Sequence, residues 1–281
     1  MEFNSARKAR ILAKSFFPLP PEADLSDFRR YGYPDEASCP VISEQEIAKV
    51  TRATVQINAA GPDAIPILVL AEAIPVIGRH LTLVFNTSLD LGHCPEHFKE
   101  SLTVALKKPD RGDYGQPESL GPIALLNTLD KVLEAVIAAR LSHIAENLHV
   151  LPNNHFGGRK GRGTEAAMHS LLEKIHSAWV NKKVASLLLL DVSSAFDNVC
   201  HQRLLHNLRK RRVPGVIVRW IESFVGERRT KIVLPQHRSD IITVNTGTPQ
   251  GSPLSPILYL YYNADLIETT TDLDNGVSSS G

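Results

Sequence analysis

One stretch constrains this chain more than any other, the run SLLLLDVSSAFDNV from Ser186 to Val199. Leu187 to Leu190 form an unbroken apolar run, too short to span a membrane and of the length expected for a buried strand. Asp191 closes the run with a carboxylate. Ser193, Ser194 and Ala195 are small, and Phe196-Asp197-Asn198 opens a turn ahead of another helical pattern. A strand that carries an Asp to its solvent-facing end, followed by a tight small-residue turn, can hold a hard cation. The other reading is an Asp that caps the next helix. The remainder of the sequence has to choose between them.

Composition narrows the field less than pattern does. A 43% hydrophobic and 22% charged chain of net charge +1 is an ordinary globular composition, with no global signature of a nucleic-acid binder. Charge is clustered, however. From His201 to Arg238 there are ten Lys or Arg against two acids, and four cations are consecutive at 209–212, an arrangement that repels itself unless an anion is near. Three isolated cysteines (Cys39, Cys94, Cys200) suit a reducing compartment without a disulfide framework. His93, Cys94 and His97 lack a second ligand pair, which argues against zinc. Arg7, Lys8 and Arg10 are not followed by an apolar segment, so no signal peptide is expected. With no run of about 20 apolar residues, no membrane span is expected either, and an intracellular protein, nuclear or cytoplasmic, follows.

Along the chain, Arg7 to Phe17 can form one helix before a proline-broken lead-in. Ser43-Glu44-Gln45-Glu46 is a capping box that starts a helix running towards Ala60. Ile67 to Leu91 has helical spacing, with Pro75 expected to divide it into two packed helices and Gly92 to end it. Ser-Leu-Thr-Val-Ala-Leu before Lys107-Lys108 reads as a strand, and residues 110–121 as a loop. Thr128 to Leu148 is amphipathic, Glu165 to Val180 is helical, and so are 201–212 and 216–225. Arg229 to Leu234 and Asp240 to Val244 read as a hairpin, followed by a turn-rich loop at 246–255 and a helix from Pro256 to Glu268.

Five segments, in this order, resemble the reverse transcriptase domain of non-LTR (LINE-type) retrotransposons, particularly those of fungi. They are GPDAIPILVL at 61–70, LKKPDRGDYGQPESLGPIALLNTLDKVLEAVIAARL at 106–141, NNHFGGRKGRGTEAAM at 153–168, LLLLDVSSAFDNV at 187–199 and GTPQGSPLSPILYLYYNADL at 247–266. The resemblance implies an α+β fold: right-hand polymerase fingers and a partial palm, an antiparallel sheet backed by helices, with no thumb. It divides the chain into an N-terminal helical extension (1–60), a fingers-like region (61–185), a partial palm (186–268) and a polar tail (269–281). The implied activity is RNA-directed DNA polymerisation, in which a DNA primer on an RNA template attacks a deoxynucleoside triphosphate with two Mg²⁺ ions (or Mn²⁺) at the reacting phosphate. By the same resemblance Asp191 is the catalytic metal ligand, with the Val192 carbonyl beside it. Phe196 lies under the sugar, where the other reading is an ordinary core Phe, and Asp197 caps the helix that follows. Gln250 and Gly251 meet the nucleotide. Lys131 is the cation over the triphosphate, unless it is a plain surface lysine. Arg159, Lys160 and Arg162 track the template backbone.

Two departures from the family pattern stand out. The Arg that precedes the family's Pro-Ile-Ala-Leu word is replaced by Gly121, which removes one triphosphate partner. The family's aromatic-x-Asp-Asp word, which carries further metal-binding carboxylates, does not occur before Gly281. The expectation is therefore a reverse transcriptase fragment, truncated and inactive on its own. The alternative is a degenerate retroelement remnant that only binds nucleic acid through the basic segment 201–238.

Overall fold

A computed structural model of the chain describes residues 5–19, 23–54, 59–110, 112–159 and 161–271. The helices are α1 (Ser5–Phe16), α2 (Glu44–Thr54), α3 (Ile67–Leu91), α4 (Thr128–Asn147), α5 (Thr164–Val180), α6 (His201–Lys210), α7 (Gly215–Val225) and α8 (Ser255–Thr271). The strands are β1 (Glu100–Lys107), β2 (Leu120–Leu126), β3 (Arg228–Leu234), β4 (His237–Arg238) and β5 (Ile242–Val244). The coarse expectation of a mixed helix-and-strand protein, with a sheet backed by helices, is met.

Details of that expectation change. The sheet is mixed rather than antiparallel. β1 pairs antiparallel with β2 but parallel with β3, while β4 and β5 share the far edge of β3. A parallel pair needs a long crossover, and the helices α4–α7 between β1 and β3 provide it. The predicted hairpin forms, bent at Ser239, whose hydroxyl accepts the Ile232 amide at 2.9 Å.

The region Ile67–Leu91 is one helix of 25 residues, with Pro75 inside it. An internal proline removes one helical hydrogen bond. Here apolar burial on both sides of it, with Leu70, Ile74, Leu81 and Phe85 all in the core, offsets that loss. Gly92 then ends the helix in the left-handed conformation (φ 62°), with its amide on Leu89 and that of His93 on Ser88. By length and composition α3 could cross a membrane, contrary to the expectation that no segment could, yet one face of it lies in the protein core.

The core is helical. Trp220 of α7 stacks on Phe224 (5.3 Å between rings) and donates to the Ser88 hydroxyl of α3 at 2.9 Å. Leu133, Val136, Ile137 and Leu141 of α4 pack in the same cluster as Leu254, Leu258 and Tyr261 at the start of α8. Tyr261 closes that contact by donating to the Leu141 carbonyl at 2.9 Å. The lead-in before α2 is a strap across α6. Phe28 stacks on His206 at 4.1 Å, Tyr33 hydrogen-bonds the same ring at 2.8 Å, and the Ala37 amide donates to Arg212.

The largest disagreement concerns the opening stretch. Residues 183–192 form neither strand nor helix, and Leu188, Leu189 and Leu190 are 76%, 82% and 82% exposed. An apolar run becomes a strand only when a neighbour satisfies its backbone and covers its side chains. Among the described residues no strand lies beside it. Helix α5, which precedes it, likewise has no buried residue.

Candidate active site

The site begins with a turn and a loop that fit into each other. After Asp191, the chain turns through Ser194 (φ 52°), and the Asn198 amide closes the turn on the Ser194 carbonyl at 3.1 Å. That presents the Phe196 carbonyl to the amide of Thr248, 2.8 Å away, in the loop 246–252. Gly247 explains why the two approach so closely. A Cβ there would stand 2.4 Å from the Phe196 oxygen, and its φ of +59° also favours glycine. Below the turn, His201 Nε2 reaches the Gly247 carbonyl at 2.8 Å, and Arg228 donates to the same oxygen at 2.9 Å and to Thr246. Burial brings the Arg228 guanidinium down to about 10, while the facing carboxylates of Asp197 and Glu134 oppose the shift.

Asp197 is placed differently from its expected role. Helix α6 begins after Cys200 with no side-chain cap. Instead, the Asp197 carboxylate accepts the Gln250 amide, at 3.1 Å to each oxygen. Burial raises its carboxyl above the usual range, and the Gln250 hydrogen bond, Arg228 and Lys108 pull the other way. Gln250 therefore spans the turn and the loop rather than lying free. Its carbonyl accepts the Ala124 amide of β2 at 2.6 Å. Gly251 (φ +111°) follows in contact with β2, where a Cβ would be 2.5 Å from the Ala124 oxygen. The room a glycine leaves at 251 is filled here by the protein's own sheet.

Phe196 is partly buried, its ring 5.5 Å from that of Tyr259 on α8. Burial, then Tyr262 and then the nearby Asp191 charge, raise the Tyr259 phenol. Asp191 itself is exposed on the irregular segment. Its carboxylate and the Val192 carbonyl are hard oxygen donors of the kind Mg²⁺ prefers. No cluster of three His, Cys, Asp or Glu side chains suited to a metal occurs among the described residues, at Asp191 or around Cys94. Beside the turn, Lys99, Thr103, Thr230, Arg228, Asp197 and Gln250 line a cleft of about 30 Å³, room for about one water molecule and too small for a nucleotide.

The expected cations are engaged elsewhere. Lys131 is neither a surface lysine nor turned to the loop. It is buried and donates to the Ala59 carbonyl at 2.7 Å, its ammonium weakened by burial. Arg159 is buried in a bidentate pair with Glu146 (2.7 and 2.9 Å) and also holds the Pro152 carbonyl at 2.7 Å. Arg162 donates to Asn153. Lys160 lies outside the described residues. Two cations of the run 209–212 find anions inside the protein. Lys210 and Arg211 pair with Asp265 at 3.0 and 2.5 Å, and Arg211 also pairs with Glu268 at 2.8 Å. A cation that sequence reasoning left unassigned, Lys108, runs beside Gly121, with methylenes 3.7 and 4.0 Å from where a Cβ would stand.

Sequence reasoning also missed three buried groups beneath the loop: Asp130 and Glu134 of α4, and Ser252. Asp130 and Glu134 are four apart, on the same stripe of α4 as the buried Ile137 and Leu141. The signal that could have found them is that shared stripe, which the charged residue type obscured.

Residues 106–274 match the family of reverse transcriptases (RNA-dependent DNA polymerases). The chain belongs to that family. It is 32% identical over 196 residues to a probable RNA-directed DNA polymerase from transposon BS of Drosophila melanogaster, an overlap of 69% of this chain and 21% of that protein. The RNA-directed DNA polymerase from mobile element jockey of the same organism is 32% identical over 188 residues, 67% of this chain and 20% of the relative. The Pol polyprotein from type-1 retrotransposable element R2 of Nasonia vitripennis is 26% identical over 219 residues, 78% and 20% respectively. The resemblance to a LINE-type reverse transcriptase domain is thus borne out. These relatives come from insects and do not bear on a fungal affinity. The chain spans about a fifth of their length.

Proposed function

We propose that this chain contributes part of the catalytic region of an RNA-directed DNA polymerase of a retroelement. It would act on an RNA template, a DNA primer and deoxynucleoside triphosphates. The observation that carries the reading is the seating of the Phe196-Asp197 turn in the loop 246–252, which joins two segments 50 residues apart through Thr248, Gly247 and Gln250. In this reading Asp191 and Val192 hold Mg²⁺ or Mn²⁺, which when bound supplies charge stabilisation at the reacting phosphate. Phe196 and Tyr259 form the apolar floor beneath the sugar, and Gln250-Gly251 borders the nucleotide. Lys108 takes the triphosphate charge that Gly121 cannot, because its side chain passes over that residue and its charge reaches Asp197. Lys131 and Arg159, both buried, brace the scaffold.

The fingers-like region (61–185), the partial palm (186–268) and the N-terminal extension remain our division of the chain. The remnant that merely binds nucleic acid loses its main motive, since the cations at 210 and 211 are neutralised by α8. The test is Mg²⁺-dependent extension of a DNA primer on an RNA template, together with titration of the chain with dATP. With no aromatic-x-Asp-Asp word in its 281 residues, the chain alone is expected to bind dATP and Mg²⁺ weakly and not to extend the primer. Loss of dATP binding in Lys108→Ala supports the reading; dATP affinity unaffected by both Lys108→Ala and Asp191→Asn overturns it.

A further inference from the structure

The three buried groups beneath the loop form a chain of contacts that the proposed chemistry does not use. The Ser252 hydroxyl donates to Glu134 Oε2. Ser252 Oγ itself accepts the amides of Leu254 and Ser255, at 3.0 and 3.1 Å, at the entry to α8. Ser255 Oγ in turn donates to the Pro249 carbonyl at 2.9 Å, and the Ser252 amide to the same carbonyl at 3.2 Å. The loop carrying Gln250 and Gly251 is therefore pinned at its downstream end to one carboxylate on α4.

That carboxylate is not alone. Asp130 lies one turn before it, and both residues are fully buried. Glu134 Oε1 and both Asp130 oxygens have no hydrogen-bond partner. Two acids on one helix turn, both shut off from water and with the Ser252 hydroxyl as the one hydrogen-bond donor to their four oxygens, cannot comfortably carry two charges. A proton between them supplies the missing donor and removes one charge.

We propose that Asp130 and Glu134 share a proton and together act as the positioning element that clamps the Pro249–Gly251 loop through Ser252. Its bearing on the nucleotide rests on the function proposed above; the clamp itself does not. Burial pushes Glu134 up to about 7, and burial followed by the Glu134 charge holds Asp130 well above the usual carboxylate range. The surrounding charged and titratable groups are few. Lys131 lies on the same helix, and it also faces Asp63 of the 61–65 turn. The Cys94 thiol feels both acids as well as Lys99, and Arg228 of β3 faces Glu134. Because the folded-state value of Glu134 is raised, its contribution is fully present below the ordinary 4.5 and is lost as pH rises through about 7. The Ser252 hydroxyl favours the charged carboxylate and opposes this trend, but burial outweighs it, so the clamp is tight in mild acid and loosens as the buried charge forms.

Native-state amide exchange of the full chain, corrected for intrinsic rates, reads the clamp without any activity. Between pH 6 and 8.5 the Leu254 and Ser255 amides of the wild type should lose about tenfold in protection. Glu134→Gln keeps an acceptor for Ser252 and gives Asp130 a donor, so it should hold its pH 6 protection throughout. Ser252→Ala should lose protection at both pH values. A wild type whose protection is flat with pH, or a Glu134→Gln chain that loses it as the wild type does, overturns the proposal. Should Glu134→Gln fail to fold by circular dichroism, full protection in Ser252→Ala overturns it instead. In a parallel dATP titration, affinity should weaken about tenfold from pH 6 to 8.5 in the wild type and stay level in Glu134→Gln, following the exchange result. Absence of dATP binding in every chain counts against the nucleotide reading alone, since exchange decides the clamp.

Discussion

The two segments that build the candidate site are held in opposite ways. The loop 246–252 is short, turn-rich and nearly devoid of large apolar side chains, yet it is fixed from four directions: by Phe196, by Asp197, by β2 and by Glu134. The segment 183–192 has the stronger apolar signal of the two and pairs with no strand among the described residues. Hydrogen bonds between a few side chains and the backbone can fix a loop locally. An apolar strand depends on a neighbouring strand and a covering layer, both of which must come from elsewhere. Apolar content alone therefore does not forecast order.

The contrast should be plainest in amide exchange. Thr248 and Ser255 should exchange at least on the order of 10³-fold more slowly than Leu188–Leu190, after correction for intrinsic rates. Equal protection in the two segments would mean that 183–192 is paired in solution.

Truncation of side chains comes next. Leu258→Ala, at a fully buried position, should cost about 2–5 kcal/mol in urea unfolding. Leu189→Ala, 82% exposed, should stay within about 0.5 kcal/mol. A large loss at Leu189 would show that the leucine run is covered after all.

Backbone fit gives a smaller contrast. Gly247→Ala meets the Phe196 carbonyl and should cost roughly 2–3 kcal/mol. Gly163→Ala, with open space around it, should be within about 0.5 kcal/mol.

The smallest effect is that of Gln250→Leu, about 1–2 kcal/mol at pH 7, from loss of the donor to the Asp197 carboxylate. The folded-state value of Asp197 is raised by burial. The charged form therefore destabilises the fold progressively as pH rises above the ordinary 3.8, and Gln250 offsets part of that loss. The penalty of the substitution should accordingly vanish in acid. A penalty unchanged at pH 3 would show that Gln250 acts through packing rather than through the carboxylate.

How far these features could be read beforehand varies with their range. The capping box at Ser43 was legible because it is local, and its hydroxyl accepts the Glu46 amide at 3.2 Å. Gly92 was legible as a helix end for the same reason. Pro75 misled, since its local penalty is overridden by core contacts on both sides of it. The cations at 209–212 posed a correct electrostatic question whose answer, Asp265 and Glu268, lies more than 50 residues further on. Lys131 could not be placed from periodicity, because α4 is packed by α2, α3 and α8 and has no wet side along its first turns.

By itself, the sequence determined the family, the order of helices and strands, and the identity of the two segments that meet at the site. These rest on local periodicity, turn chemistry and the wording of five segments. Only the tertiary structure decided that the Phe196-Asp197 turn seats in the Gly247 loop, that Gln250 answers Asp197, and that two buried acids stand beneath Ser252. It also left the leucine run before Asp191 in solvent. The reason is the same in each case. Burial and hydrogen-bond satisfaction are settled between residues far apart in the chain, and no periodicity along the chain encodes which distant group arrives.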